Sequence, residues 1–390
     1  MGWNLKELIA KYDVPGAQVA VLTNGEIHDE AAGVLSLDTQ VETTTDSAFK
    51  IGSITKIWTA TLIHRLTSDG LLDLDRPISE YLPGFRLRDQ AADTLTARHL
   101  LTHTGGLASF HFTGTHAAEE LVTVLADADH WFPPGKVFSY SNSGFVVLAR
   151  LVEVLRGKPF QEAVQEDLVT PLGLETVSTW PAATGSAHLA MSARDLLTFV
   201  RLHLTEPALA ALREPQLDEI PDFGGGVIGW GLGWMLHPGG VVGHTGVSKG
   251  EKSFVRAIPS QGLAVAVLTN SPGGEPVAHE VFAEAGIEST PPPSPPVNPA
   301  PVDDWMCGTY RNTLYDITLS TENGRAFLTH HARTERFPDK GPVEVVRLNH
   351  NSIITLEPKP DGHHVMSLAG ADEAGRANFL HNGSAAWRIA

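Results

Sequence analysis

Of 390 residues only Cys307 is a cysteine, so no disulfide forms within the chain and its fold does not depend on an oxidising compartment. Basic residues are also scarce: 28 Lys and Arg stand against 45 Asp and Glu, a formal charge of −17. Such a surface repels phosphate backbones and anionic lipids, which argues against nucleic-acid binding and membrane attachment. Long apolar runs are missing as well; stretches such as Leu263 to Leu268 have strand length, far short of the roughly 20 residues that span a bilayer. Met1 to Leu8 lack a basic segment leading into an apolar one, and Gly2 lacks the downstream Ser or Thr of a myristoylation signal. The expectation is a soluble, cytoplasmic protein. The 18 histidines include no His-Glu-x-x-His and no paired His/Cys spacing, so neither a metal nor another cofactor is expected. No serine sits in a Gly-x-Ser-x-Gly elbow, which argues against an α/β-hydrolase.

What is present is the mixture of an ordinary folded protein, 42% hydrophobic and 19% charged, with 37 Gly and 26 Pro supplying turns. The sharpest break in composition is STPPPSPPVNPAP, Ser289 to Pro301, where repeated prolines favour an extended, semi-rigid spacer. It divides the chain into a main domain at 1–288, a linker at 289–301 and a small accessory domain at 302–390. In the main domain, Ala17 to Thr23 followed by Asn24-Gly25 reads as a strand and hairpin turn. Ser53 to Asp69 reads as a buried helix closed by Gly70. Leu121 to Leu125, Val146 to Leu155 and Ala193 to Leu204 carry helical spacing, the last opened by a Ser192/Asp195 capping box. Beyond Trp230 the period returns to strands in a hairpin around Pro259 to Gly262, and Glu275 to Ala285 supplies a closing helix. This order defines an α+β body with a helical insertion. The accessory domain shows short alternating runs, Asp316 to Leu319 and Ser352 to Leu356 among them, and reads as a small antiparallel β domain of lipocalin-like type.

Ser53-Ile54-Thr55-Lys56 sets a hydroxyl and an amine three residues apart, on one helix face and within reach of each other. A neutral Lys56 there can take the serine proton. As a mere surface charge Lys56 would be misplaced, since it falls among Ile57, Trp58 and Ile63. A second copy of the spacing, Ser47-Ala48-Phe49-Lys50, reads as strand or loop, whereas Ser53 follows Gly52 and opens the helix, where the dipole and free N–H groups favour a nucleophile. Tyr140-Ser141-Asn142 follows the loop signature Phe132-Pro133-Pro134-Gly135, and a loop lets a tyrosine reach inward. Its echo, Tyr310-Arg311-Asn312, lies beyond the spacer. His-Thr-Gly also occurs twice; His244-Thr245-Gly246 adjoins a strand, while His103 of the first copy reads as structural, hydrogen-bonding a turn.

In that order Ser53 to Lys56, Tyr140 to Asn142 and His244 to Gly246 resemble the three motifs of the penicillin-recognising serine hydrolases. The likeness is to the branch of class C β-lactamases, serine esterases and D-amino-acid peptidases. Phe49 to Gly52, Leu100 to Leu107 and Trp230 to Trp234 resemble the same branch, so the likeness spans roughly residues 5 to 287. The resemblance implies a five-stranded antiparallel sheet with flanking helices and a helical subdomain, with the site between them. It implies that Ser53 attacks a carbonyl while Lys56 and Tyr140 share general-base and general-acid duty, the order of proton transfer being open. It further implies that Asn142 holds the substrate amide, that His244, Thr245 and Gly246 line the site, and that the N–H groups of Ser53 and Val247 form an oxyanion hole worth about 3 kcal/mol per donor.

Many relatives carry Lys where this chain has His244, and that cation is associated with the carboxylate of β-lactams and D-Ala-D-Ala peptides. A mostly neutral imidazole shifts the expectation towards ester, thioester or other peptide substrates, including those of D-amino acids. The leading reading is a hydrolase acting on a small molecule or peptide as monomer or homodimer. The alternatives are a biosynthetic acyltransferase or peptide-cyclising thioesterase, and a ligand-binding sensor that acylates without turnover.

Overall fold

The computed structural model describes residues 3–109, 118–179, 184–335, 337–359 and 362–390, the side chains of residues 90 and 121 excepted. Strands β1 (Gly16–Thr23) and β2 (Glu26–Gly33) form the hairpin read from the sequence, with Asn24 and Gly25 both at positive φ, 52° and 81°. That conformation matches the twist of the flanking strands. They join β3 (Gly229–Trp230), β4 (Met235–Leu236), β5 (Val242–Ser248), β6 (Glu251–Ile258) and β7 (Leu263–Thr269) in one antiparallel sheet of order β2-β1-β7-β6-β5-β4-β3. The sheet therefore has seven strands and not the expected five. β3 and β4 hold two residues each, too few for a period of two to register in sequence.

Five helices organise the two faces: α1 (Leu5–Lys11), α2 (Thr55–Ser68), α3 (Asn142–Arg156), α4 (Ala193–Thr205) and α5 (Glu275–Glu284). Central β7 is buried along its whole length because both faces are covered. Leu263, Val265 and Val267 share a core with Leu5 and Ile9 of α1 and Val277, Val281 and Phe282 of α5. Ala264, Ala266 and Leu268 face the helical layer of α2, α3 and α4. A strand covered twice reads as an unbroken apolar run, and period two decides which side each residue serves.

Helix α2 lies in that second layer with every residue from Thr55 to Ile63 buried, so that stretch has no solvated face. Trp58 stacks on Phe199 of α4 at 4.0 Å and 14°, worth about 1 kcal/mol beyond the area buried. The helix stops at Asp69, and Gly70 takes the expected left-handed conformation. At the start of α4, Ser192 Oγ accepts from the Asp195 N–H at 3.2 Å. The Asp195 carboxylate returns no bond to the cap, as a capping box would require; it accepts from the N–H groups of Glu175 and Thr176 instead, so the box is half formed.

Residues 291–300 carry neither helix nor strand. Beyond them, eight antiparallel strands from Gly308–Arg311 to Ala385–Arg388 close into a barrel, the first pairing with the last. Its core is its own, built around Tyr310, Ile317, Leu319, Leu328 and Leu368. Eight strands leave an interior wide enough for side chains or one small ligand. Among the described residues, no helix is long and apolar enough to cross a membrane.

Candidate active site

Ser53 sits on a single 3-10 turn, Gly52–Ile54, that leads into α2, one step before the α-helix proper. The turn is pressed against β5. Gly246 has no side chain to intervene: a Cβ there would fall 1.9 Å from the Ile51 carbonyl oxygen. Gly52, at φ +50°, likewise brings the turn to the Val247 N–H, which a Cβ on Gly52 would approach to 2.7 Å. Two glycines thus bring the backbone of Ser53 and that of Val247 side by side. Gly246→Ala is expected to destabilise the protein by about 1–3 kcal/mol, as overpacking does. It is also expected to reduce activity more than tenfold, because the Ser53 turn must retreat. Denaturant titration and steady-state rates check both, and wild-type values for the variant would show that the close approach is dispensable.

Lys56, one turn into α2, is fully buried. Its Nζ lies 2.8 Å from Asn142 Oδ1, 2.9 Å from the Ser186 carbonyl oxygen and 3.2 Å from Ser53 Oγ. Loss of solvation drives its pKa well below the ordinary lysine value. A neutral amine has two N–H bonds and one lone pair. The amide and carbonyl oxygens accept the two N–H bonds, and the lone pair is left for the Ser53 hydroxyl.

Tyr140 packs against this amine, its ring centre 4.9 Å from Lys56 Nζ. Burial raises the phenol pKa, and a hydrogen bond with Ser53 opposes that only in part, so the phenol is neutral. The same desolvation therefore moves the two groups in opposite directions: the amine towards its uncharged, basic form, the phenol away from phenolate. Asn142, first residue of α3, is reached through Ser141, whose Oγ caps the helix by accepting from the Gly144 N–H at 3.4 Å.

Ser53, Tyr140, Asn142, Ser186, Thr245 and Val247 line one cavity of about 660 Å³. His244 does not line it. Its ring is fully buried behind Tyr140, the two centres 6.4 Å apart, and its Nδ1–H donates to the Thr245 carbonyl at 2.8 Å. Burial above all pushes its pKa down to about 3, so the imidazole is neutral. Its remaining Nε2 lone pair has no partner among the described residues.

Two features of the site have no counterpart in the sequence reading. His103, read as a turn residue, lies with its ring 4.2 Å from that of Tyr140. Its Nδ1 accepts from the Ser141 N–H at 3.1 Å, and its carbonyl accepts from the Ser139 N–H at 2.8 Å, so it holds the chain on both sides of the tyrosine. The residue holds positive φ, 56°, a conformation its local sequence does not announce. The second feature comes from the barrel. The Tyr140 N–H donates to the Gly383 carbonyl at 2.8 Å, Ser384 Oγ donates to the Tyr140 carbonyl at 2.7 Å, and the Ala385 N–H donates to Ser139 Oγ at 3.1 Å. Buried His381 donates from Nε2 to the Phe138 carbonyl at 2.9 Å and accepts the Gly383 N–H on Nδ1 at 3.1 Å. The tyrosine segment is hydrogen-bonded along the tip of the last barrel hairpin, and Asn382, Gly383 and Ser384 form a wall of the cavity that holds Ser53.

A serine and a lysine one turn apart at the head of a buried helix, beneath the edge of an antiparallel sheet and facing a tyrosine from a helical layer, define a class of serine hydrolases. The chain belongs to the β-lactamase family, whose model, Beta-lactamase, matches residues 4–286. It is 34% identical to Penicillin-binding protein 4 of Amycolatopsis lactamdurans over 363 residues, covering 78% of this chain and 94% of that one. Among solved structures it is similar to SurE crystallised with D-Leu, with a TM-score of 0.82 at 27% identity, covering 99% of this chain and 97% of that one. The fold is shared with an octameric penicillin-binding protein homologue from Pyrococcus abyssi, with a TM-score of 0.66 at 21% identity over 94% of both chains.

Proposed function

We propose that the chain is a serine hydrolase that forms an acyl-enzyme on Ser53 from ester, thioester or peptide substrates. The observation that carries this is the position of Lys56 Nζ, within hydrogen-bond distance of Asn142 Oδ1, Ser186 O and Ser53 Oγ; as a neutral amine it gives its two N–H bonds to the first two and its lone pair to the serine hydroxyl. Lys56 is the base for the first proton: burial lowers its pKa and so favours the neutral amine, whereas it makes phenolate at Tyr140 costly. The serine oxygen attacks the carbonyl carbon as its proton passes to Lys56. The developing oxyanion is held by the N–H groups of Ser53 and Val247. Tyr140 then delivers its proton to the leaving group, and the proton taken up by Lys56 restores the phenol. Asn142 and Thr245 orient the substrate, with Gly246 giving β5 its close approach. His244 acts from behind the cavity as a neutral support for Tyr140.

Because His244 supplies no cation, substrates need no carboxylate beside the scissile bond. A D-configured residue at the acyl position is favoured by the whole-chain likeness to a protein crystallised with D-Leu. The functional division is a catalytic unit at 1–288, a linker at 289–301 and a barrel at 302–390 that completes the site, and the protein acts in the cytoplasm. Transfer of the acyl group to an amine or alcohol uses the same first half-reaction. Matched N-acyl thioesters of D-Leu and L-Leu, with benzylpenicillin as comparison, test the reading. The D-thioester is expected to turn over at least about tenfold faster than either, a margin worth roughly 1.4 kcal/mol in the transition state. Fast penicillin turnover with no thioester activity would overturn it.

A further inference from the structure

Ser109, Asn382 and Ser384 border the Ser53 cavity on the barrel side, and the same three residues border a second cavity of about 250 Å³ at the mouth of the barrel. The two spaces therefore share a wall at the tip of the last barrel hairpin, to which the Tyr140 segment is hydrogen-bonded. A cavity of this size is below that of a self-sufficient ligand pocket and suits one group at the end of a longer molecule. Its inner wall is Tyr315 and Ile317, with His330 set edge-on to Tyr315 at 5.6 Å and 90°.

The mouth is cationic in an acidic protein. Lys340 Nζ lies 4.7 Å from the centre of the Tyr315 ring, and among the described residues no carboxylate comes within ion-pair distance of it. The carboxylates nearest in sequence are engaged elsewhere: Asp316 is paired with Arg311 at 2.7 Å, and Asp339 accepts from the Ala332 N–H at 2.7 Å. His330 is kept neutral by burial and by Lys340 and Lys359, and its Nδ1 is buried without a partner. A cation resting on an aromatic face, beside an imidazole nitrogen that can donate in its N–H tautomer, suits a small anion.

We propose that the barrel mouth is a distal subsite of the Ser53 cleft, which takes a carboxylate at the remote end of an extended, peptide-like substrate, with Lys340 as its counter-charge. The inference rests on Ser53 being the nucleophile only in that the substrate must span both cavities. The test uses the full-length protein and two matched peptide thioesters that differ at the remote end, carboxylate against carboxamide. Wild type is expected to favour the carboxylate by about tenfold in kcat/KM, mainly through KM, as one charge-assisted contact provides. Lys340→Gln should bring that ratio close to one, Lys340→Arg should keep it, and high salt should shrink it in wild type. A wild-type ratio near one, or a ratio untouched by Lys340→Gln, overturns the subsite. Calorimetric binding of the free carboxylate and carboxamide peptides to Ser53→Ala protein reads the subsite without turnover. A preference there that Lys340→Gln removes supports the subsite even if the chemistry at Ser53 is wrong, and equal binding of the two peptides overturns it.

Discussion

Ser53→Ala is expected to lower the turnover of p-nitrophenyl esters by about a thousandfold or more, the scale on which loss of a serine nucleophile collapses a unit that acts together. The fold should survive. Ser53 Oγ is engaged by Lys56 Nζ at 3.2 Å and by Tyr140, and it supports no backbone turn, so the stability change should stay near 1 kcal/mol. Intact-protein mass spectrometry gives the second readout. A fluorophosphonate should add its mass to wild type and not to the variant, and an ester substrate should leave an acyl mass that then decays. An acyl mass that never decays would favour the sensor reading. Ser47→Ala is the matched control. Ser47 Oγ is spent on the Thr44 N–H at 2.9 Å, and Lys50 is held by Glu251 at 3.0 Å, so this second Ser-x-x-Lys pair has no free base and its loss should leave turnover in place. Equal activity in Ser53→Ala and wild type would place the nucleophile elsewhere.

The contrast between those two serines shows how far a sequence reaches. Helix α2, its Gly70 stop and the Asn24-Gly25 hairpin were legible because each is written in consecutive residues by helical spacing or backbone conformation. Ser53 and Lys56 were legible for the same reason, being three residues apart. The state of Lys56 was not, since it depends on burial by the fold, and its partners Asn142 and Ser186 lie 86 and 130 residues away. The clamp on Tyr140 was still less legible: Ser384 lies 244 residues downstream, in a stretch that reads as an ordinary Asn-Gly-Ser turn. Strands β3 and β4 exist because β5 offers them an edge, and two residues carry no period of their own. His103 read as a turn because its local sequence is one; only the tertiary fold lays its ring on Tyr140. Local patterns therefore gave the candidate nucleophile, whereas the proton inventory around it and the barrel wall of the cleft required the fold.

Lys56→Met should be the second severe lesion, because it removes the base while keeping an unbranched chain in a fully buried position. Loss of general-base catalysis predicts a fall in kcat of about a hundred- to ten-thousandfold. The wild-type rate should rise with pH through the depressed pKa of Lys56 and level off above it, since the reactive form is the neutral amine; in the variant that limb should disappear. Stability carries an independent signature. Burial lowers the folded pKa of Lys56 from the ordinary 10.5. Between the folded value and 10.5 the unfolded chain binds one proton more than the native state. Stability contributed by this residue therefore rises with pH across that window and is lost as pH falls through it, with a slope of at most about 1.4 kcal/mol per pH unit. Denaturant titrations of wild type and Lys56→Met from neutral to alkaline pH should show wild type gaining on the variant as pH rises. A constant difference would mean that Lys56 keeps its charge in the folded protein, and Tyr140 would then have to be the group that takes the serine proton.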